Sequence, residues 1–262
     1  MDVVHVHHPF ISGSLALLYC KPKGIPIVFT NHTRYDLYAH AYVPVLGELV
    51  SGIATEGYLP VFCRSCDLVI SPSAGVREIL YGFGVDVPIQ VVPNGVDIQP
   101  FQNPTSKVSR SELGLAEEDV VFYYIGRLGV EKNLNFLLQS FAAAVKAHDR
   151  IRLVLVGNGP ERSALQSWVK ENELDPFIIF TGLIPYEQLP GYLAMADAFV
   201  TASVTEVHPL TVIEAMAAGL PVLGIQSPGT GDTIQDGVTG YLCEKEDLAF
   251  FTAKLMRLAL DY

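Results

Sequence analysis

The chain has 262 residues, half of them hydrophobic and 17% charged, with 22 glycines and 17 prolines, a composition that suits a globular protein with ample core material. Its 17 basic residues against 28 acidic ones give a formal net charge of -11, which argues against nucleic acid as a partner, because sequence-independent binding relies on a basic footprint. No apolar run reaches the roughly 18 residues of a membrane span, the start Met1-Asp2-Val3-Val4-His5 lacks the basic opening of a signal peptide, and four cysteines (Cys20, Cys63, Cys66, Cys243) are too few for a disulfide scaffold, so a cytoplasmic protein is expected.

Short apolar runs alternate with helical patterns from the first residues onward. Strands are expected at 3–6, 25–30, 68–71 and 89–92, and in a second series at 120–125, 151–156, 177–180, 198–201 and 221–225. These runs are β-branched or aromatic and do not alternate strictly, as parallel strands buried on both faces should read. Amphipathic segments at 134–147 and 161–170 are long enough for crossover helices. Repeated βα units predict an α/β fold with doubly wound parallel sheets. The polar stretch 99–117, with Pro100, Pro104 and a short helix near 111–115, reads as a linker between a first unit at 1–98 and a second at 118–262. The first unit shows only four strands and begins inside one, so it is expected to be incomplete.

Four motifs carry candidate chemistry. Gly126-Arg127-Leu128 follows a strand and Lys132-Asn133 opens the next helix, a glycine turn with two cations that suits a diphosphate, although a surface Arg and Lys beside a loop would read alike. Gly157-Asn158-Gly159-Pro160 resembles half a dinucleotide fingerprint and fits a plain strand-to-helix turn better. After the strand at 198–201, a loop with Glu206 leads to a helix near Pro209, whose free first-turn amides from Leu210 and Thr211 onward suit an anion. Glu214 interrupts the apolar helix sequence Leu-Thr-Val-Ile-Glu-Ala-Met-Ala, where a carboxylate needs a partner; a pair of ribose or sugar hydroxyls would serve, as would partial exposure. His5, His7 and His8 lack the accompanying ligands of a metal site, and Cys63-Arg64-Ser65-Cys66 lacks a second pair, so no metal is expected.

Taken in order, Asp2-Val3-Val4-His5-Val6-His7, Pro72-Ser73, Val92-Pro93-Asn94-Gly95-Val96-Asp97, Gly126-Arg127 with Lys132-Asn133, Gly157-Asn158-Gly159-Pro160 and Glu206-x7-Glu214 with its Ala-Met-Ala-Ala-Gly-Leu-Pro-Val tail resemble the retaining glycosyltransferases of family 4, of GT-B architecture. The resemblance implies two Rossmann-like sheets and transfer of a hexose from a UDP- or GDP-linked sugar to an acceptor hydroxyl. Arg127 and Lys132 match the diphosphate-binding pair, and Glu214 the ribose-binding glutamate. Gly182, Leu183 and Ile184 match the backbone presented to the nucleobase. Glu206 matches the carboxylate near the donor sugar and His7 the catalytic histidine of the first domain. No cofactor or metal is implied, the nucleoside diphosphate sugar being a substrate.

The chain departs from the family where Pro209 replaces a glycine whose N–H contacts the donor. The family's N-terminal strands and its final crossing helix are expected to be missing. Residues 31–44, rich in tyrosine and histidine, are similar to a segment of bacterial enzymes that glucosylate diacylglycerol, which points to a lipid or glycan acceptor and to peripheral contact with the inner face of a membrane. A non-catalytic nucleotide-sugar-binding remnant and a sugar-nucleotide epimerase of the same fold remain open alternatives.

Overall fold

A computed structural model describes residues 1–42, 47–105, 108–244 and 247–260. Val43 and Pro44 of the tyrosine-rich segment, and Ser106 and Lys107 of the 99–117 stretch, lie outside the described residues. Backbone packing divides the chain into two compact units, Met1–Asn94 with Thr205–His208, and Gly95–Val204 with Pro209–Tyr262.

The first unit contains β1 (Val4–Val6), α1 (Ser14–Cys20), β2 (Ile27–Thr30), α2 (Tyr35–Tyr42), α3 (Gly47–Gly52), α4 (Leu59–Ser65), β3 (Leu68–Ser71), α5 (Ala74–Gly82) and β4 (Ile89–Val91). Its four strands pair in parallel in the order β1-β2-β3-β4, so each is added to the same side and the described sheet has no switch point. Val6, Ile27, Phe29 and Val69 on the strands meet Leu59, Phe62 and Cys63 of α4 in one core. Burial pushes the Cys63 and Cys66 thiols up to about 12, which disfavours the reactive thiolate in this pair of free cysteines near the end of α4.

The second unit contains α6 (Gln99–Gln102), β5 (Val120–Ile125), α7 (Leu134–Val145), β6 (Ile151–Val156), α8 (Arg162–Glu171), β7 (Ile178–Gly182), α9 (Leu189–Leu193), β8 (Ala198–Val200), α10 (Leu210–Ala217), β9 (Val222–Ile225), α11 (Pro228–Gly231), β10 (Gly240–Cys243) and α12 (Leu248–Leu260). All its described strand pairs are parallel, in the order β10-β9-β8-β5-β6-β7. The order reverses between β5 and β8, which is the doubly wound Rossmann arrangement with its switch point there. Side chains along β5 divide between two cores: Phe122 and Tyr124 pack with α7 and α12, while Val121 and Tyr123 pack with α9 and α10. That division explains the near-continuous apolar strands. The buried spacing Leu134, Leu137, Leu138, Phe141, Ala144 gives α7 its helical stripe.

Two expectations differ from the observed structure. The stretch 99–117 packs into the second unit, because Phe101 and Leu115 are buried in its core. Arg110 secures it: one guanidinium nitrogen donates to both Asp197 carboxylate oxygens at 2.9 Å, and others donate to the carbonyls of Glu117, Asp119 and Met195. Strand β10 was not expected; four residues at a sheet edge behind the Asp236-Gly237 turn give too short a signal.

Candidate functional site

Ligands of an open α/β sheet bind beyond the carboxyl ends of its strands, at the switch point. In the second unit the chain leaving β5 carries Gly126, Arg127 and Lys132, and α10 starts beyond β8. The ends of β5, β6 and β7 are joined through glycines. The Gly126 N–H donates to the Val156 carbonyl at 3.0 Å, and the Gly157 N–H donates to the Gly182 carbonyl at 2.9 Å. Gly157 has φ +138°, and a Cβ there would collide with the Gly126 carbonyl; a Cβ on Gly159 would meet the Leu128 backbone. The Gly157-Asn158-Gly159 motif is therefore a strand-to-helix turn whose glycines let two chain segments approach closely.

Between β6 and β7 the register slips, so that Leu155 faces Phe180 while Val156 faces Gly182. The extra residue, Thr181, is a bulge that re-aims the chain beyond it. Gly182, at φ +78°, then turns the chain, and Leu183 is left 77% exposed. A cavity of about 280 Å³ results, lined by Ile125, Gly126, Arg127, Val156, Gly157, Asn158, Leu183 and Ile184. The fold thus brings together Arg127 and the two residues after Gly182. Arg127 is exposed and Lys132 half-buried. Lys132 lies in a 3-10 turn, Val130–Lys132, and Asn133 at φ 53° separates it from α7, so it does not open the helix directly.

Pro209 precedes α10 in extended conformation, leaving the first-turn amides of Leu210 and Thr211 at the helix start. Leu210 is exposed and Thr211 half-buried. Glu214 is buried to 5% exposure on this helix, and the Tyr186 hydroxyl donates to its Oε1 at 2.9 Å. Burial pushes the Glu214 carboxyl above its ordinary value, and the tyrosine hydrogen bond pulls the other way. Tyr186 was missed in the sequence because nothing in its spacing ties it to a residue 28 positions away. Half-buried Glu206 belongs to the segment that groups with the first unit. In the same unit the Asn94 N–H donates to His208 Nδ1 at 3.2 Å, and Asn94 Nδ2 donates to the His208 carbonyl at 3.0 Å.

In the first unit His7 follows β1, and its Nδ1 shares a 2.9 Å hydrogen bond with Nε2 of His32, which follows β2. The His5 and His7 rings lie 4.2 Å apart, and His5 Nε2 is 2.7 Å from Thr30 Oγ1. Desolvation, and then the neighbouring imidazoles, push His5 and His32 below the ordinary histidine value. A hollow of about 390 Å³ in the same unit is lined by Phe10, Ile11, Ser14, Leu15 and Tyr58. Among the described residues no group of three or more His, Cys, Asp or Glu is placed to hold a metal ion. No described helix is long and apolar enough to cross a membrane.

Residues 106–262 match the family described as glycosyl transferases group 1, and residues 1–100 match glycosyltransferase family 4. An alpha-monoglucosyldiacylglycerol synthase from Streptococcus pneumoniae is 32% identical over 255 residues, covering 95% of this chain and 57% of the relative. One from Acholeplasma laidlawii is 26% identical, covering 94% of this chain and 64% of the relative. The chain thus spans less than two thirds of the length of either. Among solved structures, Anabaena Alr3699/HepE in complex with UDP and glucose superposes with a TM-score of 0.79 at 19% identity, over 98% of this chain and 67% of that one. That likeness shows the GT-B fold expected from the sequence.

Proposed function

The chain belongs to the glycosyl transferases group 1 family, and from that premise we propose a retaining hexosyltransferase that takes its sugar from a UDP- or GDP-linked donor. The observation that carries this reading is the cavity beyond β5, β6 and β7, which sets Arg127 beside Leu183 and Ile184 at the carboxyl end of the sheet. In this assignment Arg127 and Lys132 hold the diphosphate by charge-assisted hydrogen bonds, and the amides of Leu210 and Thr211 add the positive end of α10. Backbone at Gly182, Leu183 and Ile184 faces the nucleobase, and Glu214 accepts from the ribose hydroxyls. Pro209 has no N–H to give, so the donor loses one contact there.

The chemistry is set by the leaving group. The bond from the anomeric carbon to the diphosphate oxygen breaks with its electron pair going to the diphosphate, where Arg127 and Lys132 offset the new charge. The acceptor hydroxyl attacks from the same face, and its proton passes to the departing phosphate oxygen. Glu206 hydrogen-bonds the sugar hydroxyls, and His7, held by His32, orients the sugar. No cofactor takes part.

The two diacylglycerol-synthase relatives support a glycolipid or diacylglycerol acceptor. The apolar hollow at Phe10 and Leu15 supports an acyl-bearing molecule, and with it peripheral contact with a membrane. Titration with UDP, GDP and ADP sugars followed by a transfer assay with diacylglycerol tests the reading. Transfer with retained configuration supports it. Epimerised free sugar nucleotide identifies an epimerase, and binding without turnover a non-catalytic binding protein.

A further inference from the structure

Glu214 is costly where it stands. It is nearly fully buried on a helix whose neighbouring residues are apolar. The side-chain group that reaches it is the hydroxyl of Tyr186, at 2.9 Å from Oε1. Tyr186 itself is 60% exposed and opens the 3-10 turn Tyr186–Gln188, two residues after Ile184. A largely exposed ring whose hydroxyl reaches a buried carboxylate is not there for core packing. Its edge-to-face neighbour is Phe101 of α6, with ring centroids 6.4 Å apart. Among the described residues, the titratable groups acting on this pair are Glu214 and Asp97 on the tyrosine, and the Tyr186 hydroxyl, by its hydrogen bond, on the glutamate.

Tyr186 therefore ties two parts of the site together. The chain leaving β7 carries Leu183 and Ile184 into the cavity wall and then delivers Tyr186 to the carboxylate on α10. We propose that Tyr186 is a positioning residue of the ribose subsite: its hydroxyl holds Glu214 Oε1, leaving Oε2 to accept from a ribose hydroxyl, and so sets the base-facing loop and the ribose-binding carboxylate as one piece. This rests on the nucleoside diphosphate reading above. The hydrogen bond favours the ionised carboxylate, which is the better acceptor, against the burial that disfavours it.

The test compares the full chain with Y186F by calorimetric titration of UDP and 2′-deoxy-UDP across a pH series, with carbon-13 detection of the Glu214 carboxyl in the absence of nucleotide. Y186F should weaken UDP binding about 3–10-fold, the scale of one lost hydrogen bond. It should weaken 2′-deoxy-UDP less, so that the ratio of the two affinities narrows. The Glu214 carboxyl should titrate at higher pH in Y186F, and the pH at which UDP affinity falls should rise with it. An unchanged carboxyl titration overturns the proposal, as does a moved titration with an unchanged UDP to 2′-deoxy-UDP ratio. If the unaltered chain binds neither UDP nor GDP, the nucleoside diphosphate reading fails as well; if it binds GDP alone, GDP and 2′-deoxy-GDP replace the uridine pair throughout. Failure of this proposal alone looks different: UDP binds, and Y186F matches the parent.

Discussion

Replacing Gly157 by alanine tests whether the joined strand ends build the site. Gly157 holds φ +138°, a region that side chains rarely adopt, and its Cβ would collide with the Gly126 carbonyl. Relief requires moving either segment, yet each is tied to the next strand, through Gly126 N–H to the Val156 carbonyl and Gly157 N–H to the Gly182 carbonyl. Backbone strain of about 1–3 kcal/mol adds to about 1 kcal/mol for the hydrogen bond that yields, giving a loss of about 2–4 kcal/mol. For a unit of this size that lowers the melting temperature by about 5–15 °C. Gly219→Ala is the control, since Gly219 also has positive φ (+85°) but nothing within 4 Å of an added Cβ. It should cost only left-handed strain, about 1–2 kcal/mol, and leave UDP affinity unchanged. Denaturant unfolding and calorimetric UDP titration of both variants give the answer. Equal destabilisation by the two substitutions, or full UDP affinity in Gly157→Ala, refutes the reasoning.

Arg127→Ala and Lys132→Ala should each weaken UDP binding about 10–150-fold, the equivalent of one charge-assisted hydrogen bond; unchanged affinity in both removes the diphosphate assignment. Burial pushes His5 and His32 below the ordinary value of 6.5, so folding disfavours their protonated forms. The stability they contribute is present above that value and lost as pH falls through their lowered values. Denaturant unfolding of the first unit should therefore show declining stability on acidification below about 6.5, with a shallower decline in His32→Gln; identical slopes count against it. His7→Ala should lower sugar transfer about 100-fold while sparing UDP affinity, and an unchanged rate measured in the transfer assay removes its catalytic role.

Much of the fold was legible because buried parallel strands advertise themselves. Val120–Ile125 and Ile151–Val156 are long, apolar and followed by glycine, and both appear at the expected bounds. Edge strand β10 was not legible, since Gly-Tyr-Leu-Cys is too short for its period to stand out. At the site, Arg127 was readable from its place after a strand glycine, and Glu214 from its cost in an apolar helix. Tyr186 and His32 were not readable as partners. Their contacts depend on which strands become neighbours: β1 beside β2 sets His7 against His32, and the Thr181 bulge directs the loop that carries Tyr186. Spacing along the chain holds no record of either.

The central claim is that the carboxyl end of the six-stranded sheet binds a nucleoside diphosphate. Amide chemical-shift mapping of the chain titrated with UDP and, separately, with GDP measures this directly. Saturable shifts are expected with one of them at Gly126, Arg127 and Lys132, at Gly182, Leu183 and Ile184, and at Leu210, Thr211 and Glu214. An absence of saturable shifts with both nucleotides, or shifts confined to residues of the first unit, would contradict it.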